Sequence, residues 1–163
     1  NAIAINALGY TLADRTDRTK EAFDLIQQAL ALAPNNPAIL DSMGWVLYRM
    51  NQKKEALIFL LKAFQQYQDA EIAAHLGEVL WSLEQKTEAR EVWLNVVQKH
   101  PKHKVLLQTI QKFDPELLTP KEEASSPDTG EASPDTGEAS PANSDAVADN
   151  NETDADDLAA PKK

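Results

Sequence analysis

The sequence predicts an all-α protein: a superhelix of antiparallel helix pairs, a short C-terminal capping helix, and an acidic disordered tail. Three observations carry this. Apolar residues recur at three- and four-residue intervals as far as Phe113, with no alternating strand pattern. One order of small and large residues recurs three times, at spacings of 35 and 33 residues. After Leu118 the only aliphatic side chains larger than alanine are Val147 and Leu158, too few to build a core.

The helices are delimited by breaks. These fall at "DRTDRT" (14–19), "APNNP" (33–37), "MNQKK" (50–54), "QYQDA" (66–70), "LEQK" (83–86) and "HPKH" (100–103). Between them lie helices of 12–14 residues and then a shorter one at 104–112. Asn36 followed by Pro37 is a start signal, a side-chain cap and then a residue whose φ is preset for the first turn.

The helical glycines set the register. Ile5, Leu8, Gly9 and Leu12 are followed by Ala22, Ile26 and Pro34. Leu40, Met43, Gly44 and Leu47 are followed by Ala56 and Leu60. Ala73, Leu76, Gly77 and Leu80 are followed by Ala89, Trp93 and Pro101. Glycine costs about 1 kcal/mol relative to alanine inside a helix. Its recurrence implies a close crossing, in which Gly44 and Ala56 let two helices approach and a larger residue would force them apart. On that basis Gly44→Leu costs about 2 kcal/mol or more. Two departures stand out. Gly9 to Ala22 is 13 residues where the other two spacings are 12, and the second unit is one residue short, with Gln68 in place of a proline.

This pattern resembles the tetratricopeptide (TPR) repeat, a helix–turn–helix of about 34 residues. The units fall at about 2–35, 37–69 and 70–103, with the capping helix at 104–112, a linker at 114–120 and the tail at 121–163. Each unit buries its apolar face only against its neighbours, so the ends need caps. Helix 104–112 has the look of the C-terminal cap. Asn1 begins directly on a repeat helix, and the chain reads as the C-terminal piece of a longer protein.

The resemblance implies a concave groove lined by the first helices of successive units. Counted from the glycines, its face holds Asn6, Ala7, Tyr10, Ala13 and Asp14, then Asp41, Ser42, Trp45, Tyr48 and Arg49, then Ala74, His75, Glu78, Trp81 and Ser82. Tyr10, Trp45, Tyr48 and Trp81 form an aromatic strip in this reading. Trp45 is rotated about 100° from Gly44 and so points into the groove with its ring accessible to solvent. Trp93 holds the large-residue position of a second helix and belongs to the core. Related domains of co-chaperones clamp a peptide's terminal carboxylate with Lys, Arg and Asn. Here the matching faces offer Asn6 and Arg49 against Asp14, Asp41 and Glu78, an arrangement expected to repel a C-terminal acidic peptide.

No catalytic constellation is legible. His100 and His103 flank Pro101 at a break and do not share a helix face; His75 and Glu78 lie one turn apart, within hydrogen-bond reach. There is no glycine-rich phosphate loop and no cysteine, so neither a cofactor, a metal nor an enzyme activity is expected. No run of about 18 apolar residues is present to span a membrane. Net charge is −10, of which −9 falls in 121–163. That acidity makes nucleic acid and anionic membrane poor partners. "SPDTGEA" occurs at 126–132 and again at 133–139, and reads as a duplicated spacer whose removal leaves the repeats' stability unchanged.

A narrower resemblance lies in whole strings. "NALGYTLADRTDR", "EAFDLIQQALALAPNNPAILDSMGWVLYR" and "EIAAHLGEVLWSLEQKTEAREVW" resemble the C-terminal repeats of a proteobacterial TPR family, often exported lipoproteins of the outer membrane. One kind is an adaptor that binds a periplasmic C-terminal processing protease and helps deliver substrates to it. The resemblance implies a protein-binding scaffold in the periplasm, held at the outer membrane by an anchor upstream of this chain. A self-association module, and a non-catalytic region of a larger enzyme with its catalytic domain upstream, are the alternatives. A cytoplasmic location stays open.

Overall fold

The computed structural model describes residues 1–121. Among them are seven α-helices, one 3₁₀ turn and no strand. The helices are α1 (Ala2–Arg15), α2 (Thr19–Leu32), α3 (Pro37–Arg49), α4 (Lys53–Gln66), α5 (Ala70–Ser82), α6 (Lys86–Val97) and α7 (Lys104–Phe113). Residues read as linker include a single 3₁₀ turn, Pro115–Leu118. The acidic tail and its duplicated heptapeptide lie outside the described residues, apart from Lys121.

The helices pack as pairs, α1 on α2, α3 on α4 and α5 on α6; each pair then packs on the next. α7 lies against α5 and α6, where a fourth pair would begin. Every pair is built around its glycine. A methyl group at Gly9 would meet Ile26 Cγ1 at 2.7 Å, and one at Gly44 would meet Leu60 Cγ at 2.5 Å and the Ala56 carbonyl oxygen at 3.1 Å. At Gly77 it would fall within the Trp93 indole ring. The recurrent large residue of each second helix, Ile26, Leu60 or Trp93, thus lies flat on the glycine of the first, and all three are fully buried. Ala22, Ala56 and Ala89 are fully buried as well.

The helix starts alternate in kind. α1, α3, α5 and α7 have side-chain caps from Asn1, Asn36, Asp69 and His103. Asn36 Oδ1 accepts from Ala38 N and Ile39 N, with Pro37 opening the first turn. Asp69 takes that role in the shortened second linker, accepting from Glu71 N at 2.8 Å. α2, α4 and α6 have no side-chain cap. They follow three-residue turns, two of which have a left-handed residue at the centre, Asn51 and Glu84, each at φ 63°. In both, the next amide reaches back to the helix, Gln52 N to Leu47 O and Gln85 N to Leu80 O, each at 2.9 Å. The first pair differs because α1 runs one residue further past its glycine and stops at an extended Thr16 (φ −139°, ψ 170°), whose hydroxyl bonds the Leu12 carbonyl. That accounts for the extra residue between Gly9 and Ala22.

A candidate partner-binding face on the first helices

The first helices α1, α3 and α5 share one face, with α7 beside α5. Tyr10 on α1 reaches past α3 to α5, where its hydroxyl donates to Glu71 Oε1 at 2.7 Å. A first and a third helix that meet across a second make this face concave.

Its centre is buried. His75 Nδ1 lies 3.0 Å from both carboxylate oxygens of Asp41, and both residues are almost completely buried. The imidazole stacks on Trp45 at 4.2 Å between centroids, with the rings 20° apart. On its other side His75 Nε2 lies 3.5 Å from the Tyr10 hydroxyl. Asp41, His75, Tyr10 and Glu71 therefore form a polar chain through three repeats. Burial works against the imidazolium, but the Asp41 carboxylate beside it, with Glu71 and Glu78 behind, more than offsets this. His75 accordingly holds its proton above the ordinary histidine value. A protonated ring donates from both nitrogens, to Asp41 and to the Tyr10 oxygen, which leaves the phenol proton for Glu71. Burial, then that bond to Glu71, pushes the Tyr10 phenol well above its usual range.

Two clefts flank this centre. The smaller, of about 150 Å³, lies between α1, α3 and α5 and is lined by Asn6, Ala7, Tyr10, Ala38, Asp41, Ser42 and Glu71. The larger, of about 600 Å³, lies between α3, α5 and α7. Trp45, Tyr48 and Val105 give it apolar surface; Arg49, Lys53, Lys112 and Glu78 supply the charge. Tyr48 donates to Glu78 at 3.3 Å and is pushed up to about 12 by burial and by that carboxylate. Burial raises Glu78 too, and the nearby cations Lys112, His75 and Arg49 do not fully cancel it.

The structure corrects the sequence reading of this face in four places. Trp45 is 8% exposed, not open to solvent, because the His75 ring from the next repeat covers it. Trp81 leaves the aromatic strip: it packs with Trp93 at 5.8 Å and Phe113 at 6.4 Å, and Lys86 and Arg90 lie over its ring. His75 donates its Nδ1 hydrogen bond to Asp41, on another repeat, not to Glu78 one turn away. The charge balance also differs. Asp41 is occupied by His75, while Lys53, from the start of a second helix, and Lys112, from α7, join Arg49 in the larger cleft. Lys53 and Lys112 were invisible to a reading confined to the first helices of the repeats.

The remaining positions are plainly placed. Asn6 is buried, and its Oδ1 has no partner among the described residues. Asp14 is exposed and lines neither cleft. His103 caps α7 by accepting from Leu106 N. Among the described residues no group of three or more His, Asp and Glu side chains could hold a metal ion.

No protein-family profile matches the sequence. A stretch of 78 residues, 48% of the chain, is 59% identical to a TPR repeat-containing protein of Pseudomonas aeruginosa, of which it spans 13%. Among solved structures, the Sgt2 TPR domain from Aspergillus fumigatus superposes with a TM-score of 0.61 at 17% identity, covering 72% of this chain and 79% of that one. The first TPR of Spaghetti (RPAP3), bound to the HSP90 peptide SRMEEVD, gives 0.60 at 16% identity, covering 72% and 94%. At those identities the likeness is one of fold, and the fold is the tetratricopeptide superhelix expected from the glycine register.

Proposed function

We propose that this chain is a protein-binding adaptor that receives a polypeptide partner on the concave face of its first helices. The observation that carries the reading is the cleft of about 600 Å³ between α3, α5 and α7, which combines apolar walls with several charged groups. Such a mixture of apolar surface and orienting polar groups suits recognition of another chain. Support comes from a structure of the same fold that holds a bound peptide. The partner proposed is a periplasmic C-terminal processing protease, with the chain itself exported and tethered at the outer membrane. That choice rests on the resemblance of the quoted strings to the adaptor family. The test is a titration of the full chain with that protease, repeated with Tyr48→Ala combined with Arg49→Glu. Binding by the parent and a loss of about tenfold or more in the double variant are expected. No binding by the folded parent would remove the protease as partner.

A second reading has its own observation. Ile3 and Leu8 on α1 are 56% and 55% exposed, and Leu8 holds the register position at which Met43 and Leu76 are buried in the later pairs. If copies of the chain associate there, Leu8→Glu should convert a dimer to monomer in sedimentation. A parent that sediments as a monomer at high concentration removes this reading.

A further inference from the structure

The larger cleft is rich in donors and short of acceptors. Arg49, Lys53 and Lys112 all line it, and among the described residues none has a carboxylate within 4.0 Å. Lys53 reaches only a backbone carbonyl, that of Ser82 at 3.5 Å. Among the described residues Glu78 is the one carboxylate lining the cleft, and the Tyr48 hydroxyl already donates to it. Among the described residues, three cations against one carboxylate leave two positive charges unbalanced in the cleft, on a chain whose net charge is −10. The cations also come from three separate helix ends, so they surround the cleft and do not stack on one helix face.

We propose that this cleft recognises a diacidic peptide segment, with the side-chain carboxylates of two Asp or Glu residues neutralising Arg49, Lys53 and Lys112 while neighbouring apolar atoms rest on Trp45 and Val105. This deepens the adaptor reading and rests on it: it names the chemistry of the segment that the partner presents. Two carboxylates match the unbalanced charge, and a guanidinium holds a carboxylate through paired N–H donors where an ammonium acts as a point charge. Charge complementarity of this kind selects partners and speeds encounter, and it weakens as salt screens it.

The test uses the full chain, so the acidity of residues 122–163 is common to every measurement. The probes are fluorescently labelled, C-terminally amidated peptides carrying Glu-Glu or Gln-Gln between Gly-Ser spacers. The Glu-Glu peptide should bind about tenfold or more tightly than its Gln-Gln counterpart, and less tightly at high salt. Lys112→Glu and Lys53→Glu should each remove that preference while the helical circular dichroism and melt stay those of a folded chain. A Lys-Lys peptide should gain affinity for the doubly reversed chain. Equal binding of the two acidic and amide peptides, or a preference that survives Lys112→Glu, overturns the proposal. So does a peptide that binds only with a free C-terminal carboxylate, since the terminus is then the ligand. The two readings fail separately. If Arg49→Glu abolishes capture of the protease while no acidic peptide binds, the face stands and the diacidic ligand falls. If the Glu-Glu peptide binds and the protease does not, the ligand class stands and that partner falls.

Discussion

At Gly77 an added methyl group would fall inside the indole of Trp93, whereas at Gly9 and Gly44 it would press on aliphatic branches of Ile26 and Leu60. A branched aliphatic can rotate away; an indole held at 5.8 Å from Trp81 and 6.3 Å from Phe113 has less room. Gly77→Ala should therefore destabilise more than Gly9→Ala, and Gly44→Leu should cost about 2 kcal/mol or more, all read from urea melts. A Gly77→Ala as stable as Gly9→Ala would show that Trp93 repacks freely. Trp45 illustrates where side-chain direction alone misleads. It does point away from its own pair, but the ring is then covered by His75. Trp45→Ala should cost about 3–5 kcal/mol, the range of a buried aromatic, and not the small change of an exposed one. A thermal melt close to the parent's would return the ring to solvent. His75 gives a pH signature. The folded state holds its proton more tightly than the unfolded chain does, so the pair's contribution is fully present below the unfolded value of about 6.5 and is lost as pH rises through the higher folded value. Melting temperatures of the parent should fall over that interval relative to those of His75→Gln. Parallel curves for the two would show that His75 is neutral throughout.

Among the elements, the helix starts and crossings were legible and the turns only partly so. Asn36-Pro37 announces α3 because both residues act locally, and the glycines announce the crossings because only a missing side chain admits Ile26, Leu60 or Trp93. Asn51 and Glu84 announce nothing, since neither is glycine, yet both turns require positive φ. Asparagine tolerates that region; glutamate holds it at a steric cost of roughly 1 kcal/mol. Glu84→Gly should thus raise stability by about 0.5–1 kcal/mol in chemical denaturation, despite losing an exposed ion pair with Lys86 that contributes little. Asn51→Gly should gain less. A destabilised Glu84→Gly would mean that chain entropy outweighs the strain. The cleft was less legible than the helices for a related reason. Its cations come from a first helix, a second helix and α7, and a register counted on one helix per repeat cannot bring Lys53 and Lys112 beside Arg49.

For the whole molecule, the contacts hardest to foresee are those between units that are not neighbours. Tyr10 and Glu71 are 61 residues apart, and their meeting depends on the angles at both joints between them. Repeat arrays in which each unit touches only the next bend at every joint independently. Here one hydrogen bond of 2.7 Å spans two joints, so neither can open without stretching it. A partly buried bond of this kind contributes only about 0.5–1.5 kcal/mol to stability, but its mechanical effect is larger than that figure suggests. Tyr10→Phe should melt close to the parent, while the distance between spin labels on α2 and α6 becomes more broadly distributed. An unchanged distribution would assign the curvature to packing alone. Without Tyr10 the array is a spring with two soft hinges. With it the array is a brace, its radius of curvature set before any partner arrives, so a partner need not expend binding free energy on bending it.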